Sequence, residues 1–331
     1  MSESPTHDPL GRSRTEIDVE VTMAILVCLS AVAGNLLVVY AINRDSRLHN
    51  VTNIFISNLA LTDIAAATID MPFWIASLYA GTRNFSQVWC QIAGLAFSIL
   101  AVASIFTIGL ITFNRYLKVV KPILYKKVFP SKKAAWLYCV LVWLVAIFRG
   151  VPILSGGIGV SYKTKLGVCT SESGILSQFV TGVFIYGVLI IIFYCHFKIY
   201  KAVRESTNNL NAHGERNGSS NDSRRSADVR VLKTCFTVAC FYVITWFPIS
   251  IIVVIWPFGY DIPQVVCTGS IFLMFSSSLV NPFIYGVMNP QFKLAFKRAL
   301  SCGRYGNGNT DLNHLRNRVR REVARGLESA A

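Results

Sequence analysis

Residues 262–292 read IPQVVCTGSIFLMFSSSLVNPFIYGVMNPQF, thirty-one positions without one Asp, Glu, Lys or Arg. A helix rises about 1.5 Å per residue, so about 20 such residues cross a ~30 Å hydrocarbon layer. Working back along the chain, further uncharged runs occupy 234–260, 173–197, 84–114 and 21–43. Two more apolar stretches carry isolated charges: 52–78 with Asp63 and Asp70, and 134–154 with Arg149. The expected spans are 21–43, 52–78, 88–117, 134–154, 175–199, 230–256 and 264–287. All must be helical, because hydrocarbon offers no partner to open backbone N–H and C=O groups. Of the 331 residues 53% are hydrophobic and 15% charged, against about 25% charged in a soluble domain. The fold class is therefore all-α, a polytopic membrane protein built as a seven-transmembrane helix bundle.

Lys and Arg set the orientation. Alternating loops place Arg12, Arg14, Arg83, Arg149, Lys163 and Lys165 on the side of the N-terminus, and the other 26 of 32 basic residues on the opposite side. The positive-inside rule then puts residues 1–20 outside and the C-terminus in the cytosol. Basic loops facing an anionic leaflet also account for the net charge of +15, and no nucleic-acid partner is implied. The polar start of the chain, with Glu16, Asp18 and Glu20 before the first span and Arg44 after it, suits an uncleaved signal anchor. Outside the bundle of 21–287, the Asn/Ser/Gly-rich stretch of about 206–226 reads as a disordered cytosolic loop. Residues 288–302 alternate Phe292, Ala295, Phe296 and Leu300 with Lys293, Lys297 and Arg298, the pattern of a helix lying in the lipid interface. Cys302 then reads as either a palmitoylation site or a free thiol, and 303–331 is a basic tail.

Nothing forms a catalytic set: five scattered histidines have no metal spacing, and there is neither a phosphate loop nor a serine elbow. The chain is not expected to be an enzyme or to hold a cofactor. The informative residues are polar groups placed in hydrocarbon, where they are costly and functional by default. Asp63 must be protonated within a hydrogen-bond network or paired with a cation; Asn35, Ser104, Ser277 and Asn281 lie at matching depths and together make a small sodium site. Asn114-Arg115-Tyr116 ends the third span, where a guanidinium reaches the interface. Trp246-Phe247-Pro248 in span six and Asn281-Pro282-Phe283-Ile284-Tyr285 in span seven carry helix-kinking prolines. Cys90 and Cys169 both face the oxidising side, so a disulfide is expected to pin the second outer loop to span three. Asn84-Phe85-Ser86 is the outward-facing glycosylation sequon. Arg149 pairs with an acidic ligand, pairs with Asp70, or snorkels outward.

Taken in order through seven spans, Gly34-Asn35, Asn58-Leu-Ala-Leu-Thr-Asp63, Cys90, Asn114-Arg115-Tyr116, Trp143, Trp246-Phe247-Pro248 and Asn281-Pro-Phe-Ile-Tyr285 resemble the rhodopsin-like G-protein-coupled receptors. The resemblance covers about 34–302. It implies a plasma-membrane receptor for an extracellular ligand, with a heterotrimeric G protein, arrestin, a receptor kinase and membrane lipid as partners. Asp63, Ser104 and Asn281 would hold a sodium ion as an allosteric ligand. Arg115 would latch to Asp228, Trp246 would floor the pocket, and Tyr194 and Tyr285 would turn inward as helix six swings about Pro248. Asn114 replaces the family's usual acid, which removes one restraint on Arg115 and would raise basal activity; span five lacks the family's central proline, so the bulge and rearrangement of that span are not implied. The stretch 44–50, Asn53-Ile54-Phe55, Ser104-Ile105-Phe106 and Ile284-Tyr285-Gly286 are similar to the melatonin-receptor branch, whose inhibitory G-protein coupling this suggests. Gly182, Ile153 and the sequence after Cys169 lack that branch's ligand-contacting residues, so weak melatonin binding is expected. The ligand pocket is expected among Phe97, Ser98, Ala101, Trp246, Ile249, Phe272 and Phe275, with Asp70 and Glu172 as cation partners. Phe97 stands where aminergic receptors carry an aspartate, which argues against an ordinary monoamine.

The competing readings are a transporter, for which no repeated halves or charge-lined path is present, and a seven-helix retinal protein. Span seven contains no lysine to form a Schiff base. Purified protein mixed with retinal is expected to develop no visible absorbance band; a stable red-shifted band would contradict the receptor reading.

Overall fold

The computed structural model describes residues 8–172, 175–212 and 219–300, without the side chains of 175–181, 183–185, 206–212, 219–232 and 257. Cys302 and the basic tail lie outside the described residues, as do the side chain of Asp228 and residues 213–218 of the expected loop. Seven helical segments are long and apolar enough to cross a membrane. They are α1 (Arg14–Arg44), the pair α2 (Val51–Ala65) and α3 (Met71–Ala80), α4 (Gln87–Val120), α6 (Lys132–Leu154), α7 (Ile175–Ala212), α8 (Ser219–Ile255) and α9 (Gln264–Met288). Between them lie a short helix α5 (Pro122–Val128) and a two-stranded hairpin, β1 (Val160–Lys163) with β2 (Val168–Ser171); α10 (Pro290–Leu300) follows the bundle.

Helix limits depart from the apolar runs for local reasons. α1 starts at Arg14 because Ser13 and Glu16 form a reciprocal capping box, supplying partners to N–H groups that the helix itself leaves open. Where 206–226 was expected to be disordered, the backbone is helical through Ala212 and again from Ser219. A helix already nucleated in the membrane extends at one hydrogen bond per residue fixed, so polar residues beyond the lipid are carried along. Between α2 and α3 the helix widens into a π turn over Ala66–Asp70, just before Pro72. An α turn would drive the proline ring into the carbonyl four residues back; the wider turn relieves that clash.

Close approaches hold the bundle. A Cβ on Gly34 would stand 3.0 Å from Pro282, so only glycine lets α1 lie this near the kinked part of α9. A Cβ on Gly94 would stand 2.6 Å from Val160 Cγ1, and this absence of a side chain seats the hairpin on α4. The Cys90–Cys169 disulfide fixes the same contact, with Cα atoms 5.5 Å apart. Closing a loop with a sequence separation of 79 restricts the unfolded chain by about 4 kcal/mol. The hairpin is further held by Gln87 Nε2 donating to Val160 O (3.0 Å) and Gln264 Nε2 donating to Lys165 O (3.0 Å). On the opposite face, α10 buries Phe292 and Ala295 against the bundle, and Arg298 pairs with Asp45 after α1 at 3.0 Å.

The N-terminal segment is tied down by charge. Arg12 pairs with Asp8 (3.0 Å) and Glu20 (2.6 Å) and donates to Leu78 O (2.7 Å) at the end of α3. Burial alone would raise the Asp8 carboxyl, but the hydrogen bonds and charge of Arg12 outweigh it and hold it below its ordinary value. A carboxyl lowered in the folded state stabilises above its unfolded value and loses that contribution as pH falls through the folded one. Protection of the amides of residues 10–13, measured against the intrinsic exchange rate at each pH, is therefore expected to be constant from neutral pH to about pH 4 and to fall below it. In Asp8→Asn the segment is expected to exchange fast throughout. Separately, Gly34→Leu is expected to destabilise by about 1–3 kcal/mol through overpacking against Pro282, read as a lower unfolding temperature of purified protein.

Candidate functional site

Span two must bury an acid. Asp63 is 4% exposed, and its Oδ2 accepts a hydrogen bond from Asn281 Nδ2 of α9 at 2.8 Å. The kinked turn around Pro282 places Asn281 there, and Gly34 leaves room for it. Ser104 and Ser278 line the same cavity as Asp63 and Asn281. Ser104 Oγ donates to Thr62 Oγ1 at 3.2 Å rather than to Asp63. Asn35 serves the helix contact instead of the acid: its Nδ2 donates to Ala31 O (2.9 Å) and to Ser278 O on α9 (2.8 Å). Ser277 also lines the cavity, with its hydroxyl turned to Met274 O (2.6 Å). Ser278 was not singled out from the sequence. It lies three residues before Asn281 and shares its face, which is the signal that finds it.

One turn closer to the start of α2, Asn58 joins three helices. Its Nδ2 donates to Thr107 Oγ1 on α4 (2.8 Å), and its Oδ1 accepts from Trp143 Nε1 on α6 (3.0 Å). Both polar ends of a buried amide are thereby satisfied without water.

From Asp63 the cavity runs toward the N-terminal face as a space of about 30 Å³. That is room for a water or a small ion, not for a whole organic ligand. Five of the nine expected pocket residues line it: Asp70, Phe97, Ala101, Trp246 and Phe275. The other four, Ser98, Ile249, Phe272 and Glu172, are not among its lining residues. Ile249 is buried in the neighbouring apolar cluster, Phe272 packs edge-on against Trp74 with ring centres 4.7 Å apart, and Glu172 is exposed beside the hairpin. Trp246 stacks between Phe97 (6.3 Å) and Tyr242 (5.3 Å). The pocket floor and the Asp63 cluster thus share one continuous cavity.

At the C-terminal face, Asn114 is fully buried and accepts from Thr52 Oγ1 at 2.8 Å. A neutral amide here binds α2, where an acid would have bound the adjacent guanidinium. Arg115 is 8% exposed, and its side chain lies beside the Cys235 thiol of α8. Tyr116 is half-buried in the core of this end. Pro248 interrupts α8, two residues beyond Trp246. Tyr285 is 3% exposed and stacks on Phe292 of α10 with ring centres 5.4 Å apart. Tyr194 points out of the bundle, 54% exposed, with the Lys198 ammonium 5.5 Å from its ring centre. Two residues on, about 200° around the helix, His196 faces inward. It is buried against Phe236 (5.1 Å), its Nδ1 donates to Ile192 O (2.9 Å), and its Nε2 has no partner. Among the described side chains of α7, this histidine is a buried polar group, which the sequence reading left among scattered residues. Asn84 is exposed, three residues ahead of α4, whose N-cap is the sequon's Ser86.

The family model described as 7 transmembrane receptor (rhodopsin family) matches residues 34–285. The chain belongs to the rhodopsin family. Within it the chain lies near the melatonin-receptor branch. It is 28% identical over 278 residues to "Melatonin receptor type 1A-A" of Danio rerio, covering 81% of this chain and 76% of that one. It is 26% identical over 309 residues to "Melatonin receptor type 1C" of Xenopus laevis, covering 88% and 72%. The structure is similar in fold to squid rhodopsin, with a TM-score of 0.76, 20% identity and 94% of each chain covered. This rhodopsin-family chain is a multi-pass membrane receptor and not an enzyme.

Because Asn58 satisfies two partners at once, Asn58→Ala leaves Trp143 Nε1 and Thr107 Oγ1 unpaired in an apolar interior. The expected cost is about 1–3 kcal/mol, seen as a lower unfolding temperature; an unchanged one would contradict the three-helix role.

Proposed function

We propose that this receptor sits in the plasma membrane with its N-terminus outside, binds an extracellular ligand, and activates a heterotrimeric G protein on its C-terminal face. Rhodopsin-family membership supports receptor signalling through a G protein. The observation that carries the finer reading is the continuous cavity linking the aromatic floor at Trp246 to the buried Asp63–Asn281 pair. A ligand that shifts Trp246 and an ion held by Asp63 would then act on the same helices, α8 and α9. A ligand with higher affinity for one arrangement of these helices shifts the population toward it. By linkage, the G protein raises agonist affinity by the same factor.

The donor set fits a hard monovalent cation: a carboxylate, an amide oxygen and the hydroxyls of Ser104 and Ser278 offer oxygen ligands in a space the size of one ion or water. Asp63, Ser104 and Asn281 would hold sodium, which when bound supplies the charge that neutralises the buried acid. In this reading α8 pivots at Pro248, the Arg115 contact with α8 opens, and His196 and Tyr285 are the groups that rearrange at the opened end. Asp228 is the acidic latch partner by position in the sequence. The melatonin-branch similarity favours inhibitory coupling, and arrestin and a receptor kinase are the further partners.

Receptor in nanodiscs is expected to accelerate nucleotide exchange on a Gα subunit, and Arg115→Ala to reduce that rate at least about tenfold, equivalent to ~1.4 kcal/mol. Ion conduction with no exchange on any Gα would contradict the reading. Sodium chloride is expected to raise the unfolding temperature relative to an equal concentration of choline chloride, and Asp63→Asn to abolish the difference. A sodium effect that survives in Asp63→Asn would remove the ion from this site.

A further inference from the structure

Asp70 is a second buried acid in the same cavity, and the sodium set does not use it. It ends the π turn of span two, is 7% exposed, and its Oδ1 has no hydrogen-bond partner. Among the described residues no ion pair reaches it. An ionised carboxylate so placed is stable only with a cation beside it, and a neutral one wastes a donor. Its surroundings are those of a cation receptor. Phe97, Trp246 and Phe275 line the cavity with it, and aromatic faces attract a desolvated cation. Trp246 Nε1 has no acceptor in the folded protein, which leaves a donor for a polar group of a ligand. One turn further along span two, Trp74 stacks on Phe272 and Phe275 at 4.7 and 5.0 Å, a buried aromatic cluster next to the acid.

We propose that Asp70 anchors the head group of a cationic ligand, an organic ammonium whose apolar portion extends along the aromatic wall of Trp74, Phe272 and Phe275. The anchor lies on span two, whereas Phe97 occupies the span-three position at which an aspartate would hold an amine. The space of about 30 Å³ has room for the ammonium head alone, so admitting the apolar portion requires the aromatic side chains to move. This inference rests on the receptor reading above and specifies the ligand class of its pocket.

The probe is 2-phenylethylammonium chloride, with 2-phenylethanol as the neutral isostere, measured by thermal unfolding of the full chain in nanodiscs at constant sodium. Wild-type protein is expected to be stabilised by the ammonium and not by the alcohol. Asp70→Asn is expected to raise the apparent dissociation constant at least about tenfold, while Asp18→Asn, which removes an exposed acid outside the cavity, keeps the response. Equal responses to ammonium and alcohol in the wild type overturn the proposal even if Asp70→Asn fails to fold. So does a response that Asp70→Asn retains at full strength. Wild-type protein that drives nucleotide exchange yet ignores the ammonium sinks this inference and leaves the receptor reading intact. A charge-selective response without exchange supports the Asp70 site and counts against G-protein coupling.

Discussion

The hydrogen bond from Asn281 to Asp63 joins α2 to α9 in the buried interior of the bundle. In lipid, apolar faces gain little by meeting one another, so helix association relies on close packing and on polar groups that can find partners only in neighbouring helices. Around the Asp63 pair the same logic repeats. Asn35 donates to the backbone of α9, Asn58 bridges α4 and α6, and Thr52 ties α2 to Asn114. Gly34 and Pro282 supply the close approach that brings these donors and acceptors within reach.

The same groups leave the bundle incompletely satisfied. Asn35 Oδ1, Asp70 Oδ1, Asn114 Nδ2, Arg115 Nε, His196 Nε2 and Trp246 Nε1 are buried without partners. Unmet polar groups are expensive, and their clustering along the cavity and at the C-terminal face marks places where a second arrangement, or a bound molecule, completes the bonding. The prolines in α8 and α9 give those helices a break at which to move.

Much of this was legible in the chain. Long uncharged runs have no other stable home than a membrane, so the seven spans and their helical nature followed directly. An acid or amide within such a run identifies itself, which is why Asp63, Asn281 and Arg115 were found. Rotational phase was not legible. A membrane helix is apolar on its lipid face as well as on its core face, so hydrophobicity does not tell which side of α7 turns inward. His196, which is buried, was not singled out for that reason. Ser277 was named and Ser278 was not, although both line the cavity, and the π turn before Pro72 changes the phase of span two in a way no regular period describes. The hairpin of four-residue strands is too short for a periodic signal, whereas the Ser13–Glu16 capping box was present as a pattern just outside the first apolar run.

Two arrangements of one bundle are what the buried polar cluster and the kinked helices provide. Spin labels at Lys121, at the end of α4, and Lys233, on α8, both exposed, report the separation of those helices directly by pulsed electron resonance in nanodiscs. Two distance populations should be present, with nucleotide-free G protein enriching the longer one. A single distance, unmoved by G protein, would contradict a bundle that switches.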